Sequence, residues 1–311
     1  MPVWTGHSHS VIASRYVFND RGERVPLSSA GTKLQYIGVL TITEHGIVTT
    51  TLVSGVQPGS PEFDEDAAKV TEAFEEIVSE VVTHSNVDLR ISDENGIRMV
   101  RSRETNLGNL VADAFRYKTG ADIAMIYGGN MRTDLAAGDL TYGDIVACLP
   151  FSNAMVSIKA TGQQILDALE WGSRNILSAY RDAAGEAYGE DGAFLQVSGL
   201  RYTIDTSVES PVTADANGMF FGMIEGAPYR VTNVEVLEDG EWVPLDVKEE
   251  YTVGGIAYIL MQNGNGFTMF EGAGSILNSN VPDYEVLKDY MITFNGDLSR
   301  YAEPQGRITV K

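Results

Sequence analysis

The stretch Ser54–Pro61 (SGVQPGSP) divides the chain more sharply than any other feature, because Gly, Pro and Ser together interrupt both helix and strand. Residues 1–53, before it, offer only strands and turns. Leu34–Ile42 (LQYIGVLTI) and Ile47–Val53 are apolar and β-branched, and Glu44-His45-Gly46 between them reads as a hairpin turn. After the divide, Asp64–Val82 sets Ala67, Val70, Phe74, Ile77, Val78 and Val81 on one face at helical spacing. Asp64, Glu65 and Asp66 fall in its first turn, where the helix dipole favours acids. The reading is one amphipathic helix joining two bodies. The leading β segment is too small to stand alone. Its unpaired edges invite a partner, so residues 1–53 are expected either to pair with their copy in a homodimer or to fold onto the apolar face of helix 64–82.

From Thr83 the pattern is mixed. Leu107–Tyr117 reads as a helix, Ile123–Tyr127 as a buried strand, and Met155–Lys159 as a strand with one wet face. Thr161-Gly162-Gln163-Gln164 has capping-box spacing and starts a helix through Trp171. Arg201–Asp205 and Tyr229–Leu237 read as strands, and Asp283–Phe294 as a helix with Asp283 as N-cap. This is an α/β (mixed α+β) body.

Composition excludes several functions. Against 22 Lys and Arg stand 43 Asp and Glu, a net charge of −21, which argues against binding long nucleic acid. One nucleotide needs only two or three placed arginines. No apolar run approaches the ~20 residues of a membrane helix, and no leader pattern opens the sequence as written. The single cysteine, Cys148, rules out a disulfide framework within the chain.

Five short stretches carry possible chemistry. His7 and His9, in Gly6-His7-Ser8-His9, can face one point and suit metal ligation. Tyr127-Gly128-Gly129-Asn130-Met131-Arg132 follows a buried strand. Its glycines would bring backbone N–H groups to an anion, and Arg132 can clamp a phosphate. Phe151 and Asn153 in Leu149-Pro150-Phe151-Ser152-Asn153 can stack on a base and hydrogen-bond it. Asn263-Gly264-Asn265-Gly266-Phe267 is a tight turn. Arg98, Arg101 and Arg103 form a basic cluster in an acidic chain. Taken singly, each also reads as plain structure: a polar loop, a turn with a surface Arg, a core Phe, a turn, a strand with a solvated face. The motifs GxxxxGK[ST], HExxH, GxSxG and CxxC are all missing.

Together and in this order the pieces resemble the bacterial 5′-nucleotidase family, which includes UDP-sugar hydrolases and 2′,3′-cyclic nucleotide phosphodiesterases. The matching stretches are RETNLGNLVADAFR (103–116), ADIAMIYGGNMR (121–132), LTYGDIVACLPFSNAMVSIKATGQQILDALE (140–170), FLQVSGLRYTID (194–205), NGNGF (263–267) and PQGRITV (304–310). The resemblance implies layered helices and mixed sheets. Residues 84–311 would be the substrate-binding C-terminal domain and 54–83 the linker and connecting helix. Residues 1–53 would be the last piece of a metallophosphoesterase domain. In the family, the positions of His7 and His9 bind a centre of two divalent ions of Zn or Mn type. Neither a DxH motif nor an Asn-His-Asp/Glu motif is present here to complete it. The two histidines then read as orphaned ligands, and the sequence as a piece of a longer protein that alone does not hydrolyse nucleotides.

Carried over by position, Arg101 and Arg132 would hold the substrate phosphate, Phe151 would stack on the base and Asn153 would contact it. Three positions depart from the family. Asn265 stands where an Asp usually binds the ribose hydroxyls. Ile259 stands where a second stacking aromatic is expected, with Tyr258 as its neighbour. Tyr127 stands where many members have Asn. The implied activity is release of phosphate from nucleoside monophosphates by an intact protein that is extracellular, periplasmic or on the cell surface. The alternatives are cyclic-nucleotide or UDP-sugar hydrolysis, or a non-catalytic surface binding protein that keeps the fold.

Overall fold

A computed structural model describes residues 3–6, 9–54, 60–179 and 189–311. The chain divides into two compact units, residues 1–72 and 73–311.

In the first unit, Val3–Thr5 (β1), Val11–Phe18 (β2) and Arg24–Ala30 (β3) form a sheet in the order β1-β3-β2. Tyr36–Ile42 (β4) and Val48–Ser54 (β5) form the expected antiparallel hairpin. Its turn closes through Gly46 N–H on the Thr43 carbonyl, with Gly46 at φ 77°. The buried positions here are few, and three of the five are polar: Val25, Pro26, Ser28, Ser29 and Thr50. Most of the linker stretch at 54–61 lies outside the described residues. The helix that follows, Pro61–Val78 (α1), starts three residues earlier than its spacing suggests. Ser60 caps it, its Oγ accepting from Phe63 N–H at 3.2 Å, and Pro61 takes the first helical position, where a missing N–H costs nothing. The helix also stops four residues early. Val81 and Val82 belong instead to a strand, Val81–Ser85 (β6), because β-branched neighbours pair readily with Gly138–Thr141 further on. No residue of α1 is buried, and Phe63, Val70, Phe74 and Ile77 are all more than half exposed.

The second unit is built round Asn106–Thr119 (α2), which lies against a five-stranded mixed sheet and is buried from Asn106 to Phe115. Ile123–Tyr127 (β7) is buried throughout. Gly138–Thr141 (β8) pairs with β6, and Tyr142–Cys148 (α3) follows. Next come Ala154–Thr161 (β9) and Gly162–Ser173 (α4), the latter opened by the expected capping box: Thr161 Oγ1 accepts from Gln164 N–H, and Gln164 Oε1 accepts from Thr161 N–H. Leu195–Ser198 (β10) and Leu200–Ile204 (β11) lead to a small ribbon of Val212–Ala214 (β12) and Phe220–Met223 (β13). Val231–Glu238 (β14), Glu241–Pro244 (β15), Glu250–Ile256 (β16), Ala257–Leu260 (α5), Gly274–Pro282 (β17), Asp283–Ile292 (α6) and Ile308–Val310 (β18) complete the chain. The large sheet runs β10-β7-β16-β9-β17 and a second sheet runs β15-β14-β11-β18. Asp283 is the first residue of α6 rather than its cap. Pro282 occupies the cap, and the Asp283 carboxylate turns inward.

Two acids beside or on α2 fasten the end of the chain. Glu104 accepts from Gln305 N–H and Ile308 N–H, each at 3.0 Å. Asp113 accepts from Tyr301 Oη at 2.7 Å and pairs with Arg307 at 2.8 Å. On α4, Glu170 is fully buried, and one of its oxygens accepts from Val231 N–H at 2.7 Å. Burial pushes its carboxyl up to about 7, and the Val231 N–H and the Arg230 charge pull it back only in part. The folded chain thus holds this proton more tightly than the unfolded chain. The resulting stability is complete below the ordinary value of 4.5 and is lost as pH rises through about 7. Urea melts at about pH 5 and pH 8 should show the wild-type chain losing roughly 2–3 kcal/mol relative to Glu170→Gln. Parallel pH dependence in the two proteins would refute this.

Candidate functional site

Arg101 sits in the loop before α2, and its position follows from how that loop is held. Gln196 on β10 donates to the Val100 carbonyl at 3.0 Å and the Arg103 carbonyl at 2.7 Å, and its own carbonyl accepts from Thr105 N–H at 3.2 Å. The Arg101 carbonyl accepts from Asp191 N–H at 3.0 Å. The flanking arginines are spent. Arg98 pairs with both oxygens of Glu190, and Arg103 donates to the carbonyls of Ser102, Leu177 and Ser178. Arg101 is different: its buried Nε has no hydrogen-bond partner among the described residues. Burial, then Arg98 and Arg132, hold its guanidinium below the usual arginine value. It stays charged at neutral pH. The Glu190 carboxylate, already paired with Arg98, offsets these effects only in part; a half-desolvated cation beside two others is costly, and an anion would relieve that cost.

The turn after β7 brings Arg132 to the same place. Gly128 packs so tightly that a Cβ there would lie 2.2 Å from the Val100 carbonyl oxygen and 3.2 Å from Arg101 Cα. Only a glycine lets the strand end pass this loop. The same turn corrects the sequence reading. The N–H groups of Gly128 and Gly129 do not face an anion; they donate to the Phe194 and Gly192 carbonyls at 2.6 and 3.0 Å. What this turn leaves available to an anion is the Arg132 side chain, which is exposed, with its guanidinium 5.7 Å from the ring of Phe151. Phe151 is 52% exposed, so it is not a core residue. Tyr127 is nearly buried between these groups, and burial pushes its phenol up to about 12 while Arg132 and Arg101 pull the other way.

On the far side of Tyr127 lies Tyr258, with ring centroids 5.4 Å apart. Ile259 is fully buried and unavailable to a ligand, whereas Tyr258 is half-buried and donates to Asn265 Oδ1 at 3.3 Å. The Asn265 carbonyl accepts from the Trp171 indole N–H at 2.8 Å, and its backbone is left-handed at φ 51°. This leaves the Asn265 amide nitrogen without a partner among the described residues, a donor rather than the acceptor pair an Asp would offer. Asn153 donates to Asn130 and to Asp283. Sequence reasoning missed Asp283 and Asn130 as members of this group, because an Asp after a proline at a helix start looks only like a cap.

His7 lies outside the described residues, and His9 is exposed. Among the described residues no three His, Cys, Asp or Glu side chains lie together as a metal site. These residues do not fit a two-metal centre by themselves. A cavity of about 650 Å³ lined by Asp88, Arg90, Asp93, Glu94 and Glu303 contains none of the expected residues, and its excess of carboxylates opposes a phosphate.

Two guanidiniums that form no ion pair among the described residues lie near an exposed phenylalanine and a tyrosine pair on a mixed α/β scaffold, an arrangement chemically suited to an anion joined to a flat ring. The family profile described as "5'-nucleotidase, C-terminal domain" matches residues 81–272, more than half of the chain, and the chain belongs to that family. It is 27% identical to the trifunctional nucleotide phosphoesterase protein YfkN of Bacillus subtilis, over 97% of this chain and 19% of that protein. It is 30% identical to a cell wall protein of Listeria monocytogenes, over 73% of this chain and 26% of that one. Among solved structures, the 5'-nucleotidase precursor of Thermus thermophilus superposes with a TM-score of 0.64 at 28% identity, covering 99% of this chain and 58% of that one. The chain thus spans between about a fifth and just over half of the length of these relatives.

The close approach at Gly128 is directly testable. Gly128→Ala should cost roughly 1–3 kcal/mol or more, because the blocking atoms are backbone and cannot rotate away. Gly192→Ala, where an added Cβ meets nothing within 4 Å, is the control and should melt like wild type. Equal melting temperatures for all three would show that the contact is not tight.

Proposed function

We propose that this chain is the nucleotide-binding part of a 5′-nucleotidase-type phosphohydrolase, which releases phosphate from nucleoside monophosphates in the intact protein. The observation that carries the reading is the pair Arg101 and Arg132, neither of which forms an ion pair with a described carboxylate in a chain of net charge −21. In that reading they hold the phosphate, Phe151 stacks on the base, Asn153 contacts its edge, and Tyr258 and Asn265 lie along the ribose. Tyr258 takes the aromatic role, with Ile259 sealed in the core.

Residues 1–53 are the end of a metallophosphoesterase domain in this reading, 54–83 a connector, and 84–311 the substrate-binding domain. The metal centre belongs to the remainder of that first domain, where two divalent ions would activate water and stabilise the phosphoryl oxygens. His7 and His9 contribute to it. This chain's own residues bind and orient the nucleotide. The similarity to a cell wall protein supports a place outside the cytoplasm. The exposed Leu34, Ile37, Ile42 and Val53 support pairing of two copies through residues 1–53.

Calorimetry tests the division of labour. Phe151→Ala should lose roughly 1–3 kcal/mol of nucleoside affinity with phosphate binding little changed. Arg132→Ala should weaken nucleotide far more than nucleoside. Equal losses for both ligands in both variants would sink these roles. The purified chain alone should release no phosphate from nucleotides; metal-dependent release abolished by His7→Ala would show a complete centre.

A further inference from the structure

Asp283, Asn130 and Asn153 form a closed set of hydrogen bonds where α6 begins. Asp283 and Asn130 have no exposed surface. Asn130 Nδ2 and Asn153 Nδ2 each donate to Asp283 Oδ2 at 3.1 Å. The second hydrogen of Asn153 Nδ2 goes to Asn130 Oδ1 at 2.8 Å. The backbone ties the same residues: Asp283 N–H donates to the Asn153 carbonyl at 2.9 Å, and Tyr284 N–H donates to Asp283 Oδ1 at 3.0 Å.

The two ends of an amide have nearly the same shape, so its orientation follows from its neighbours. Here the neighbour permits one answer. An ionised carboxylate only accepts. Burial pushes the Asp283 carboxyl up, and the hydrogen bonds from the Asn130 and Asn153 amides draw it back in part toward the charged form. Turning either amide over would set two oxygens against each other in a buried place. Both hydrogens of Asn153 Nδ2 are therefore committed. Its Oδ1, at the other end of the group, accepts nothing from the described residues. Asn153 is half-buried and lies two positions after the exposed Phe151.

We infer that Asp283 is a positioning residue that fixes Asn153 as a pure hydrogen-bond acceptor toward the ligand ring, so that the site selects bases carrying an N–H donor at their edge. An amino purine satisfies it. A purine with no exocyclic amine leaves the Asn153 oxygen without a donor, and unmet polar groups are what discriminate between ligands most strongly. This rests on the nucleotide-binding reading and adds the chemistry of the base.

The test compares adenosine with purine riboside, which has the same ring system and sugar but no amine, by calorimetry on the full chain. Adenosine should bind about tenfold more tightly. Asp283→Asn keeps the size and the acceptor for Tyr284 but puts an NH₂ where both amides donate. Asn153 must then turn over, and the affinity ratio should fall to about one or invert while purine riboside binding is kept. Asn153→Ala leaves Asp283 in place and should also bring the ratio to about one. In the wild-type chain, slow exchange of both Asn153 side-chain amide protons by NMR supports the arrangement without any variant; fast exchange overturns the role of Asp283. Equal binding of the two nucleosides by wild type overturns the inference and leaves the nucleotide reading standing. Binding of neither overturns both.

Discussion

The absence of one side-chain atom organises the ligand-binding face. At residue 128 the end of a central strand runs within contact distance of the Val100 carbonyl and the Arg101 backbone, closer than any Cβ would allow. That approach sets a loop residue, Arg101, beside Arg132, which comes from the other side of the same turn. Gln196 locks the loop from behind with three hydrogen bonds. A second close approach repeats the device. Gly264 and Gly266 pass against the Tyr258 and Trp171 rings, with a Cβ at either lying 2.5 Å from ring carbon, and so hold Asn265 against Tyr258.

Charge is the other constraint. Several guanidiniums of this acidic chain find a carboxylate: Arg90, Arg98, Arg174, Arg201 and Arg307 all do. Arg101 and Arg132 lie close enough to raise each other's cost, and no described carboxylate forms an ion pair with either. Holding two like charges together stores unfavourable energy in the free protein, and a dianionic group would release it on binding. The same local field acts on Tyr127, whose phenol is held by burial well above its usual range although both cations oppose this.

Much of this was readable in the sequence. The strand at Ile123–Tyr127 falls where its apolar run puts it, because all five residues are buried. The capping box at Thr161 forms because its geometry is local. Long-range packing was not readable. The extended segments at 250–256 and 274–282 carry too little periodicity of their own and become strands by pairing with β9. The glycine N–H groups at 128 and 129 looked free for an anion, but carbonyls from residues 192–194 claim them. The role of Asp283 depends on Asn130 and Asn153, which lie 153 and 130 positions away along the chain. No local pattern announces such a set.

The attachment of the chain's end to α2 has a consequence for how the second unit reaches its native state. Glu104 and Asp113 are buried acids: Asn109 and Ser198 give them one donor each, and their remaining donors come from Tyr301, Gln305, Arg307 and Ile308, about two hundred residues downstream. Closing so long a loop is slow, because its entropy must be lost before the contacts repay it. Until residues 301–308 arrive, the central helix carries carboxylates that cannot be buried with their bonds satisfied. On the ribosome, the helix that anchors this unit is thus made well before its partners, and the intermediate between those moments is exposed to aggregation.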